Sequence, residues 1–132
     1  MNKRKVKKLI KKYTKDRSKN YFGCIHELDP NNFKRLSKYA KQLKERGWDD
    51  TETWALDYTI ASFVYPRLIR YKKLNNGYPP SLTWETWNLY IDKMIKSMKY
   101  TIDGELVTTQ DKLNEIEEGF NLFGKYFMSL GW

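Results

Sequence analysis

Two sets of residues in this 132-residue chain are placed to do chemistry: lysines crowded near the N-terminus and carboxylates scattered further on. Residues 1–20 hold ten Lys or Arg against one acid, Asp16, and residues 21–132 hold fifteen of each sign, so the whole net charge of +9 falls in the first twenty positions. Ammonium groups at that density bind phosphates or acidic side chains. Their affinity falls as salt rises, because binding releases counterions. Lys3, Arg4, Lys5, Lys7, Lys8, Lys11 and Lys12 are the residues expected to make such contacts. Val6, Leu9, Ile10 and Tyr13 recur at i, i+3, i+4 and i+7, which sets them on one face of a helix with cations on the others. Three uses of that stripe compete. It can dock on the rest of the chain or on a partner while the lysines are solvated. It can accompany lysines that grip nucleic-acid phosphates. It can lie on an anionic membrane, which is disfavoured because the stripe is narrow and lacks Trp, Phe and Met.

A second basic and aromatic grouping, Arg67, Arg70, Lys72 and Lys73 with Tyr65 and Tyr71, could hold phosphates and stack bases. Core tyrosines flanked by surface lysines would give the same pattern. Among the acids, Asp49, Asp50 and Glu52 stand together, Asp57 lies between Trp54 and Ala61, and Glu115, Glu117 and Glu118 come late in the chain. Acids from two helices can hold magnesium, as all-helical nucleotide pyrophosphohydrolases do with paired E-x-x-E and E-x-x-D motifs. Glu115-x-x-Glu118 matches one half; D-x-x-E at 49–52 only loosely resembles the other and comes in the wrong order. The competing reading caps helices with Asp49 and Asp50, pairs Asp57 with an arginine such as Arg67 or Arg70, and leaves the later glutamates in water. The single histidine, His26, has no second His or Cys near it in sequence to complete a metal site, and reads as a loop residue. The chain has no Gly-rich phosphate loop, no G-x-S-x-G elbow and no H-E-x-x-H. No catalytic residue, metal or cofactor is therefore expected. Cys24 is the only cysteine, which excludes an internal disulfide and fits a reducing compartment.

Helices must position these residues. The stretch 48–78 reads as one long helix, with Asp49 and Glu52 at capping-box spacing at its start. Trp54, Tyr58, Ala61, Val64, Tyr65, Leu68 and Tyr71 form its apolar face. Pro66 inside it predicts a kink, and Asn75-Asn76-Gly77 supplies a left-handed stop before Pro79-Pro80. A preceding helix starts at Asp29-Pro30, turns Phe33, Leu36, Ala40 and Leu43 inward and Lys34, Lys38, Lys41 and Lys44 outward, and ends at Gly47. Thr83 caps another, with Trp84, Trp87, Tyr90, Ile91, Met94, Ile95 and Met98 inward. Residues 101–109 read as a loop with a hairpin-like turn. A last helix begins near Gln110, and Leu113, Ile116, Phe120, Phe123, Phe127 and Leu130 form its seam. Gly119 and Gly124 each weaken that helix by about 1 kcal/mol relative to Ala, and close approach of another helix is one reason for them. The fold expected is all-α: a bundle of four or five helices around a long Pro-kinked central helix, with residues 1–20 as a basic helical arm and 21–132 as a single helical domain.

No apolar run approaches the roughly 20 residues of a membrane span, and no signal peptide is expected. The run RGWDDTETWALDYTIASFVYPRLIRYKKLNNGYPP resembles a family of small bacteriophage proteins without a settled activity. Asp50, Glu52, Thr53, Trp54, Leu56, Asp57, Ile60, Ala61, Pro66, Arg67, Leu68 and the Asn76-Gly77-Tyr78-Pro79 turn carry the likeness, and EEGFNLFGKYFMSLGW resembles the family's ending. The resemblance covers residues 27–132 and leaves the basic arm outside. It implies phage origin and the cytoplasm of an infected bacterial host, with no catalytic role. The function expected is a non-enzymatic binding protein whose arm engages nucleic acid, a nucleoprotein or an acidic host protein, in host takeover or anti-defence. Deleting residues 1–20 is expected to abolish that binding and leave a folded body. Two other classes stand beside it. One is a magnesium-dependent nucleotide hydrolase or nucleotide-binding protein, using Asp57, Glu117 and Glu118 or a pocket of Trp54 and Arg67. The other is a virion or assembly component working as a homo-oligomer.

Overall fold

The computed structural model describes residues 3–20 and 31–131. Cys24, His26 and the Asp29-Pro30 helix start lie outside the described residues. Among those described there are five α-helices, two short 3-10 turns and no strand, so the fold class is the all-α bundle that the periodicity predicts. The helices are α1 (Lys3–Asn20), α2 (Phe33–Arg46), α3 (Leu56–Leu74), α4 (Trp84–Asp103) and α5 (Gln110–Lys125). The chain divides into two units, Met1–Thr59 and Ile60–Trp132.

In the first unit the stripe of α1 turns inward. Tyr13 is buried with Leu36, Tyr39 and Leu43 of α2, and Leu9, Ile10 and Ala40 pack against them. The described N-cap of α2 is Asn32, three positions beyond Asp29 in sequence, and its side chain accepts from the Arg35 N–H at 3.2 Å. The helix stops at Gly47, whose φ of 81° suits a residue without a Cβ, and whose N–H donates to the Leu43 carbonyl at 2.9 Å.

The long helix expected over 48–78 is not formed. Asp49 and Glu52 do make a capping box, but on a 3-10 turn, Asp50–Thr53. Trp54 is then extended and Ala55 takes a φ of 49°, a region that costs an L-residue roughly 1–2 kcal/mol. Thr59 Oγ1 donates to the Glu52 carbonyl at 2.7 Å across this break. α3 therefore starts only at Leu56, and Trp54 is not on its apolar face. Pro66 lies inside α3 as expected. The stop also differs: Asn75 is buried, and its side chain donates to the Gly77 carbonyl at 2.6 Å and accepts from the Gly77 N–H at 3.2 Å. That side-chain loop replaces the left-handed glycine cap.

In the second unit Ala61 and Leu68 of α3 meet Trp87, Ile91, Met94 and Met98 of α4 in a closed core. Thr83 caps α4 as read, accepting from the Thr86 N–H at 3.1 Å, but the helix runs on to Asp103 through the loop expected from residue 101. Trp84, expected inward, is 38% exposed. The seam of α5 is shifted. Phe123 and Leu130 pack on the core as expected, but Leu113, Phe120 and Phe127 are exposed, and Gly119, Leu122 and Tyr126 take their place. The cause is Gly119. A Cβ there would lie 1.9 Å from Ser97 Oγ and 2.3 Å from the Lys93 carbonyl oxygen, so α5 approaches α4 along its glycine. Ser97 Oγ donates to the Ile116 carbonyl at 2.8 Å across the same contact. Nothing lies within 4 Å of a Cβ at Gly124.

The two glycines therefore separate in a measurement. Gly119→Ala should cost about 1–3 kcal/mol of stability in urea unfolding, because the Lys93 backbone cannot yield. Gly124→Ala should be neutral or stabilising by up to about 1 kcal/mol.

Candidate functional site

The first unit is assembled around a carboxylate. Asp49 and Thr51 are fully buried, and Tyr13 and Glu52 nearly so. The Tyr13 hydroxyl donates to Asp49 Oδ2 and the Thr51 hydroxyl to Oδ1. The Thr51 N–H donates to Oδ1 at 2.8 Å, and the Asp49 N–H to Glu52 Oε2 at 2.9 Å. A buried charge left without donors costs several kcal/mol, and the bond from Tyr13 is the one of these that ties α1 to the turn. Burial, and then the bond to Asp49 and its charge, push the Tyr13 hydroxyl well above the usual tyrosine range. Tyr13 thus remains a donor.

Asp50 faces outward and ties the same turn to α2. It accepts from Gln42 Nε2 at 2.9 Å and Arg46 Nη2 at 2.8 Å, and Lys38 Nζ lies 3.4 Å away. The Gln42 bond, then the Arg46 bond, hold its carboxyl down at about 2. Trp54, thrown back by the break at Ala55, meets Tyr39 edge-on at 6.0 Å, and the Arg35 guanidinium lies 5.2 Å from the Trp54 ring. Arg46 stacks on Trp48 at 3.7 Å.

With α1 fixed this way, Lys3, Arg4, Lys5, Lys7, Lys8, Lys11 and Lys12 are all exposed. So are Lys34, Lys38, Lys41 and Lys44 of α2. Residues 1–59 carry sixteen Lys or Arg against eight Asp or Glu, a net +8 of the chain's +9. The sequence marks the lysines of α1 as partner contacts and those of α2 only as a basic outer face. The signal was present in the α2 pattern; what was missing was knowledge that α1 packs beside it.

Arg67 and Arg70 are exposed on α3 in the second unit. Arg67 stacks on Phe63 at 3.8 Å and its Nη1 donates to the Phe63 carbonyl at 3.0 Å. The neighbouring Tyr65 and Tyr71 are partly buried and pack against the core. Trp54 and Arg67 fall in different units.

Asp57 is exposed in the first turn of α3, at the positive end of the helix dipole, and needs no arginine. Glu115 and Glu118 pair with Lys96 and Lys93 of α4, the latter at 2.6 Å, and both side chains stay exposed to water. The bond from Lys96 lowers the Glu115 pKa. Among the described residues no three His, Cys, Asp or Glu come together in a metal-binding group. No protein-family model, curated protein or solved structure matches the chain.

Two outcomes follow from this geometry. Tyr13→Phe removes one donor from a buried carboxylate and should cost about 2 kcal/mol, read as a lower urea midpoint for tryptophan fluorescence. Asp50 has a folded pKa of about 2, below its unfolded value of about 3.9. Its contribution is therefore present above about pH 4 and is lost as pH falls through about 2. Asp50→Asn should be less stable than the native chain at neutral pH, and the two should converge on acidification.

Proposed function

We propose that the chain is a non-enzymatic binding protein whose first unit engages a polyanionic partner through the exposed lysines of α1 and α2. One observation carries this reading: the apolar stripe of α1 is used inside its own unit, while its cations stay outside. A helix that needed a bilayer for that stripe would keep it uncovered. No helix of the described residues is long and apolar enough to cross a membrane. Because α1 is docked, its lysines form a preset charged face, and binding needs no ordering of a loose arm. The bacteriophage resemblance adds a setting: an infected bacterium, with nucleic acid, a nucleoprotein or an acidic host protein as partner.

Deleting residues 1–20 is a poor test, because it removes Tyr13 from Asp49 and uncovers Leu36 and Leu43. Charge reversal keeps the stripe. A variant with Lys3→Glu, Lys7→Glu, Lys8→Glu and Lys11→Glu should keep its circular-dichroism spectrum. It should lose at least about tenfold in affinity for a short DNA duplex and for polyglutamate at low salt. Unchanged affinity for both would overturn the proposal.

A further inference from the structure

α1 and α2 do not close fully on each other. Between them runs a groove of about 530 Å³, within the roughly 300–1,000 Å³ of ordinary ligand sites. On α1 its wall is Leu9, Lys12, Tyr13 and Asp16, at i, i+3, i+4 and i+7. On α2 it follows Phe33, Ser37, Ala40, Lys41 and Lys44. The groove therefore tracks both helix axes, and the rise from Phe33 to Lys44 makes it about 16 Å long. Leu9, Phe33 and Ala40 make an apolar floor. Lys12, Lys41 and Lys44 stand on the rim against one acid, Asp16.

We propose that this groove docks one amphipathic helix of a partner protein, with apolar side chains on the floor and acidic side chains against Lys12, Lys41 and Lys44. The inference rests on the polyanion-binding reading and names the partner's chemistry. A phosphodiester backbone would satisfy the rim but has no side chains for an apolar floor. An anionic bilayer is flat and cannot enter a slot between two helices. A third helix matches the length, and it fills the groove as helices complete bundles and amphipathic ligands dock. On the rim, Lys41 pairs with Glu45 of its own helix at 3.9 Å, and both side chains are mostly exposed.

The test uses the full chain and a fluorescent helical peptide of about four turns, with Leu at i, i+3, i+4 and i+7 and Glu on the flanks. A control peptide replaces each Leu by Ser at equal charge, and a short DNA duplex is titrated in parallel. The Leu peptide should bind at least about tenfold more tightly than the Ser control. Ser37→Trp, which fills the groove from its half-buried wall, should weaken the Leu peptide by a similar factor and leave duplex affinity unchanged. If Ser37→Trp lowers the melting temperature, the charge swap decides instead. Lys41→Glu with Lys44→Glu should lose the acidic peptide and recover binding to one with Lys flanks. Equal binding of the Leu and Ser peptides, or no recovery in the swap, overturns the groove and leaves the polyanion reading standing. If neither peptide nor duplex binds the native chain at low salt, both fail.

Discussion

Asp49 is a carboxylate closed off from water, and the first unit is arranged to satisfy it. Two of its donors, the hydroxyl and N–H of Thr51, come from its own turn, and the third is Tyr13 on α1. The bond from Tyr13 and the apolar packing of α1 on α2 fix the same face of the helix. With that face inward, Leu9 and Ile10 are half-buried against α2 and the lysines lie outside. A buried hydrogen bond and an apolar cluster together leave the cations of α1 on its outer faces. Asp50, one residue on, secures the other side of the turn to Gln42 and Arg46 of α2. Adjacent aspartates thus serve opposite needs: one answers burial, the other charge.

The second unit is held by contact of a different kind. Its core is apolar, and its tightest point is backbone approach at Gly119, where α5 meets Ser97 and Lys93 of α4. The surface pairs Lys93–Glu118 and Lys96–Glu115 flank that approach. Exposed pairs of this kind contribute at most about 1 kcal/mol each, so the glycine contact and the Trp87, Ile91 and Met94 core dominate. Of the three carboxylates that the magnesium reading required, Asp57, Glu117 and Glu118, these pairs occupy one, Glu118.

Much of this was legible in the sequence, and the failures have local causes. Helical spacing exposed the all-α class, and Thr83 and Gly47 marked true helix ends because capping is a short-range effect. The capping box of Asp49 and Glu52 was also real, but it opened a 3-10 turn. Nothing in the local pattern shows that Ala55 will take a positive φ and end the turn there. The α5 seam was misread because Phe120 and Phe127 scored as core by type, whereas the small residue Gly119 sets the true face. The bond from Tyr13 to Asp49 spans 36 residues, and periodicity carries no information about which face meets which partner. The lysines were visible at once; their fixed direction was not.

A preset face of lysines acts through displaced counterions, so its signature is in the salt dependence of binding. The most direct measurement is the affinity of the full chain for a short DNA duplex across about 50–200 mM salt. The account predicts a straight fall of log affinity against log salt, with a slope of several units. Affinity that does not change with salt, or no binding at about 50 mM, would contradict it.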